Sequence, residues 1–150
     1  MYARVRYDDG MLMTLKDDAA TVNALVRRTP RQRLEERRFG EWSAIELISH
    51  VAYIAEVMRA RIERCLAEDR PAIEAVPDGA LTDERDPVAL ARRLQEAYAA
   101  IVDLLMKPGT AERRATHPEW GSVSAGFFAA HQATHGREHI GELARAFPPA

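Results

Sequence analysis

Three histidines recur at every fourth position, His131, His135 and His139, inside the apolar run 127–143. A spacing of four returns side chains to one side of an α-helix, and the apolar residues around them follow the same helical period. That face also carries Val123, Phe127, Phe128 and Leu143, so the helix has to be buried along it. Another histidine, His50, falls in the second strongly apolar segment, 45–58. Imidazole is costly to bury unless both ring nitrogens are satisfied, and a divalent ion satisfies one of them well. The histidine ladder therefore predicts both a helical core and a candidate metal site within it.

The rest of the chain reads as helix at the same period, with no convincing strand alternation. A first helix begins near Asp8 and Asp9, which can cap it, and carries Met11, Leu12, Leu15, Ala19, Val22 and Val26. Thr29 before Pro30 ends it, because a residue preceding proline is driven out of the α region. A polar, arginine-rich connection over 31–38 follows. Ser43 and Glu46 form a capping-box pattern, with Trp42 just ahead as a staple residue. The helix they open carries Leu47, Val51, Ile54, Met58 and Ile62, and has to fade before Pro71. The connection over 70–85, broken by Pro71, Pro77 and Gly79, is long enough to suggest a functional role. Asp86 then caps a third helix whose first residue is Pro87. The fourth starts around Ser122 or Ser124 and stops at Phe147, before two prolines. Four amphipathic helices with one long crossover connection predict an all-α four-helix bundle, with residues 1–150 as one domain. Glu41, Trp42 and Ser43 ahead of one histidine-bearing helix echo Glu119, Trp120, Gly121 and Ser122 ahead of the other.

Helix geometry limits what the ladder can bind. Residues four apart lie roughly 6 Å apart along the axis and about 40° apart around it. Two neighbouring imidazoles can converge on one ion, but the outer pair, roughly 12 Å apart, cannot. The usable pair is His131 with His135 or His135 with His139, and His50 is the candidate third ligand from another helix. Three imidazoles with positions left for water describe a catalytic style of site. They accept zinc, nickel or iron(II) alike. The competing reading is a set of core histidines bonded to one another and to backbone carbonyls. His135 to Glu138 and His139 also spells an H-x-x-E-H string. It is set aside, because no further acidic ligand follows well downstream and Glu138 points away from His139. Glu142, seven residues after His135, returns to within about 20° of its direction. It is placed to hydrogen-bond a ligand histidine or to contact substrate.

Bulk properties exclude other classes. A formal net charge of -2, with acidic and basic residues interleaved, offers no stripe for nucleic acid. One cysteine, Cys65, precludes an internal disulfide and suits a reducing compartment. It reads as a small core side chain. No segment approaches about 18 apolar residues, and the first ten residues lack the apolar centre of a signal peptide. A cytoplasmic protein with no membrane or nucleic-acid partner is expected. His117, ahead of Pro118, is expected in an exposed loop.

Two stretches carry a family resemblance. Gly40, Glu41 and Trp42 leading through Leu47 and Ile48 to His50 resemble the opening motif of the DinB/YfiT-like superfamily. His131, Gln132, Thr134, His135, His139 and Glu142 resemble its closing motif. The resemblance implies a four-helix bundle holding a divalent metal on His50, His135 and His139, with His131 lining the pocket. Glu142 stands where relatives commonly have glutamine, a departure that keeps a polar group but changes its charge. The resemblance also implies a small-molecule substrate and chemistry such as thiol-dependent S-transfer, with a low-molecular-weight thiol as cofactor, or hydrolysis, in stress response or detoxification. The alternative is a non-catalytic, dimeric helical stress protein with a structural metal or none. A homodimer is expected in either case.

Overall fold

The computed structural model describes residues 5–149. Four long helices make up most of it: α1 (Gly10–Arg28), α3 (Ala44–Ala67), α4 (Pro87–Met106) and α5 (Ala125–Ala146). A short helix, α2 (Arg31–Leu34), follows α1. Their starts are written locally. At α3 the capping box is complete: Glu46 N donates to Ser43 Oγ (3.2 Å) and Ser43 N to Glu46 Oε1 (3.0 Å). Asp86 Oδ2 accepts from Ala89 N at the head of α4, and Ser124 Oγ from Phe127 N at the head of α5. The expectation for α1 is only half met. Asp9 occupies the cap position, but no side-chain cap bond forms there and its Oδ1 accepts from the Tyr7 hydroxyl.

Each long helix packs on two neighbours, α1 on α4 and α5, and α3 on the same pair. The core between them includes Leu15, Leu25, Ile48, Met58, Ile62, Leu90, Leu94, Ile101 and Phe128, all but sealed from solvent. Burying each such side chain is worth about 1.5–3 kcal/mol against exposure. The long 68–86 connection joins neighbours, α3 to α4. The two steps between helices that do not neighbour, α1 to α3 and α4 to α5, carry small antiparallel hairpins that periodicity did not reveal. The first pairs β1 (Arg37–Phe39) with β2 (Trp42–Ser43), the second β3 (Arg114–His117) with β4 (Gly121–Ser124). Their turns need backbone at positive φ, which Gly40 (66°) and Gly121 (71°) adopt without the penalty a Cβ would bring.

These hairpins account for the sequence echo. Each runs directly into a histidine-bearing helix through a serine cap. Each also presents a tryptophan to a histidine of that helix: Trp42 to His50 (ring centres 4.9 Å apart) and Trp120 to His131 (5.5 Å). The 68–86 connection is pinned at both ends. Ile73 N and Thr116 N exchange bonds with Thr116 O and Pro71 O, tying it to β3. Further on, Thr82 N donates to Ser49 Oγ at 2.9 Å, next to His50. Among the described residues no helix is long and apolar enough to cross a membrane. The opening stretch read for a leader lies partly outside the described residues, at positions 1–4.

Candidate metal centre

His50, in the second turn of α3, is buried, and its Nδ1 lies 2.8 Å from the carbonyl oxygen of Ala80. A carbonyl can only accept, so Nδ1 carries the proton and Nε2 keeps its lone pair. A backbone oxygen holding one nitrogen while the other faces inward is the usual arrangement of a metal-binding histidine. Across the bundle, α5 brings His135 and His139 up to it. The ring centre of His50 is 5.7 Å from that of His139 and 6.4 Å from that of His135, and the latter two are 4.8 Å apart. His131 lies one turn earlier, its ring stacked on His135 at 5.6 Å and facing Trp120 and Phe127. Of the two pairs that helix geometry left open, His135 with His139 is the one beside His50.

Glu142 stands beside this group, with Oε1 3.3 Å from His139 Nδ1. The approach is too oblique for a hydrogen bond, which leaves His139 Nδ1 a buried nitrogen without one. Burial is the main cause of the lowered pKa values of His50 and His135. It acts hardest on His131, which is pushed down to about 4, with His135, Arg61 and His117 adding to the effect. At neutral pH these rings are uncharged, the form in which imidazole binds metal.

Does the set fit an ion? An imidazole bonded to zinc at about 2.0–2.1 Å has its ring centre roughly 3 Å from the ion, so two rings sharing it at the tetrahedral angle lie about 5 Å apart. His135 with His139 satisfies this, and His50 stands farther from both. As they stand, no three or more His, Cys, Asp or Glu side chains among the described residues are arranged to hold an ion. In donor chemistry three imidazoles suit a borderline divalent cation. Their spacing falls short at His50.

Two of these rings, His50 and His135, open on a cavity of about 330 Å³. Its walls include His50, His131 and His135, Val76 to Gly79 of the long connection, and His117, Glu119 and Trp120 of the second hairpin. Both long connections thus shape it. His117 corrects the expectation of an exposed loop residue: it is only 4% exposed. Its ring stacks on Trp120 at 3.9 Å, and its Nδ1 accepts from the backbone N–H groups of Glu119 and Trp120. A weak signal was present, since the alternation over 114–117 ahead of Trp120 and Gly121 reads as a hairpin arm. Arg61 was also overlooked. It lines the same cavity, eleven residues and so three turns after His50, on the same face of α3.

Comparison with known proteins bears on this geometry. The model of the DinB superfamily matches residues 14–143. No curated protein matches the chain. Among solved structures, YfiT from Bacillus subtilis superposes with a TM-score of 0.76 over 91% of this chain and 85% of that one, at 23% identity. That protein is described as a probable metal-dependent hydrolase with an unusual four-helix bundle topology. At such identity the likeness establishes the fold.

Proposed function

This chain belongs to the DinB superfamily, and from that premise we propose that it is a divalent-metal-dependent enzyme using His50, His135 and His139 as ligands. The observation that carries the reading is the approach of His50 on α3 to His135 and His139 on α5, with His50 and His135 at the wall of one cavity. An ion there would require His50 to draw in toward the other two rings. Such an ion would supply Lewis acidity, acidifying a bound water for hydrolysis or a thiol for S-transfer. The chain's own residues do the rest. Ala80 O holds the tautomer of His50. Glu142, by a slight rotation, accepts from His139 Nδ1 and orients that ring. Trp120 and His131 wall the cavity and exclude water from one side.

We propose a small-molecule substrate in a stress or detoxification setting and a cytoplasmic location, with zinc, nickel or iron as the ion. Thiol-dependent S-transfer, with a low-molecular-weight thiol, and hydrolysis are the two chemistries that the family resemblance suggests. Metal analysis of purified protein tests the reading. About one divalent ion per chain is expected, lost in His50→Ala and His139→Ala, with roughly 10-fold weaker retention against a chelator in Glu142→Gln. No stoichiometric ion after supplementation would overturn it. Turnover of monochlorobimane with a small thiol, against turnover of nitrophenyl esters, separates transferase from hydrolase. A second reading, a non-catalytic homodimer, draws on the exposed Met13 and Met106 of α1 and α4. It predicts a dimer, its metal structural or absent, that turns over neither probe, which sedimentation and the two turnover assays together decide.

A further inference from the structure

Arg61 is only 5% exposed, yet no acid among the described residues partners it. Its hydrogen bonds run to the carbonyl of Glu74 and, weakly at 4.0 Å, to Met58 Sδ, and its guanidinium lies 5.5 Å from the centre of the Phe128 ring. Other arginines show the contrast. Arg93 meets Glu56 and Asp83, Arg64 meets Glu68, and Arg137 meets Asp18, although all three are far more exposed. A buried charge is retained only when something compensates it. A neutral side chain would serve to fasten Glu74 and fill the space beside Phe128. The guanidinium instead faces the cavity with most of its five N–H donors uncommitted.

Its surroundings define what it can receive. His117 shares that wall, and because its Nδ1 accepts two backbone N–H groups, its proton sits on Nε2 as a further donor. Two donors, one of them cationic, therefore meet one cavity. Among the described residues the carboxylates lining it, Asp78 and Glu119, are exposed at the rim. One interior cation behind an acidic rim matches a single negative charge and repels a dianion such as phosphate. The planar fork of arginine matches a carboxylate in both geometry and charge.

We propose that Arg61 is the anchor for the carboxylate of a small organic acid, whose remainder lies along Trp120 toward His50 and His135. As a statement about the enzyme's substrate this rests on the metal-dependent reading, but the anion site does not need the ion. The test titrates the purified full-length chain with benzoate, benzamide and inorganic phosphate, before and after dialysis against EDTA, following tryptophan fluorescence and calorimetry. Benzoate is expected to saturate in both forms, at least ten-fold tighter than benzamide or phosphate. Arg61→Gln should weaken benzoate at least ten-fold while leaving benzamide unchanged, and Arg61→Lys should fall between. The comparison of benzoate with benzamide on the unaltered chain needs no variant to fold. Equal binding of the two, phosphate binding as tight as benzoate, unchanged benzoate affinity in Arg61→Gln, or benzoate binding only in the metal-loaded form would each overturn the proposal. Metal content is measured in the same samples, so failure of the ion reading is seen separately.

Discussion

Gly136 lies in α5 between His135 and Arg137, where a helix would ordinarily prefer alanine by about 1 kcal/mol. A Cβ at this position would lie 2.6 Å from Tyr98 Oη and 3.2 Å from Gln132 Nε2. An ordinary contact is about 3.4 Å or more, so the hydroxyl would have to retreat by nearly 1 Å in a close-packed interior. Tyr98 is 1% exposed, and its hydroxyl accepts the Gln132 amide at 2.9 Å, so it has little room to move. Overpacking costs about 1–3 kcal/mol, and the strained hydrogen bond about 1 kcal/mol more. Helix propensity returns about 1 kcal/mol, leaving Gly136→Ala destabilised by about 2 kcal/mol. For a domain of this size that lowers Tm by about 4–8 °C. Tyr98→Phe removes the obstructing oxygen and costs about 1–2 kcal/mol through the abandoned amide. In the double variant the new methyl occupies the vacated space, so the pair should be less destabilised than its parts together, with a coupling of about 1–2 kcal/mol. Urea denaturation of all four proteins measures this. A Gly136→Ala protein as stable as its parent, or additivity within about 0.5 kcal/mol, would refute the argument that this glycine is there to admit the Tyr98 side chain reaching across the core from α4.

Two further outcomes follow from buried charges and rings. Arg137 holds the buried carboxylate of Asp18 through contacts of 2.9–3.2 Å, yet burial still raises the Asp18 pKa. In Arg137→Ala that pKa rises further. A raised carboxyl pKa favours the folded state only while the group is protonated, so the destabilisation should be small near pH 4 and grow toward pH 7. It should reach about 1–3 kcal/mol, reduced because Arg137 is half exposed, and denaturation curves for Arg137→Ala,Asp18→Asn should lack this pH dependence. His117 has the opposite sign: burial lowers its pKa, and protonating its Nδ1 would break two backbone bonds. Its contribution is present above about pH 6.5 and lost as pH falls through the folded value. Metal-free protein should therefore lose stability between pH 7 and 5, and His117→Asn should have a shallower slope by up to one proton; an unchanged slope would contradict the buried, neutral His117.

Helix existence, helix starts and the histidine ladder were legible because each depends on neighbours along the chain. Ser43 with Glu46, Asp86 with Pro87, and Ser124 cap their own helices within a few residues, and a period of four puts His131, His135 and His139 on one face wherever the helix lies. Asp9 failed as a cap because its backbone is already helical (φ -65°, ψ -21°) rather than extended as a capping residue needs, a conformation that residue type does not rank. The hairpins escaped notice because strands of two to four residues carry too few alternations to register a period.

Sequence alone determined a helical bundle and a small set of candidate ligands, since helix period and capping are short-range. The packing of α3 against α5 decided which histidines face one another: His50 came to His135 and His139, while His131 was turned to Trp120. The burial of Arg61 and His117 was likewise settled only when the second hairpin and the 68–86 connection closed over α3. A charge's partners and a ring's exposure are set by segments far away in the chain, and no local pattern encodes that distance.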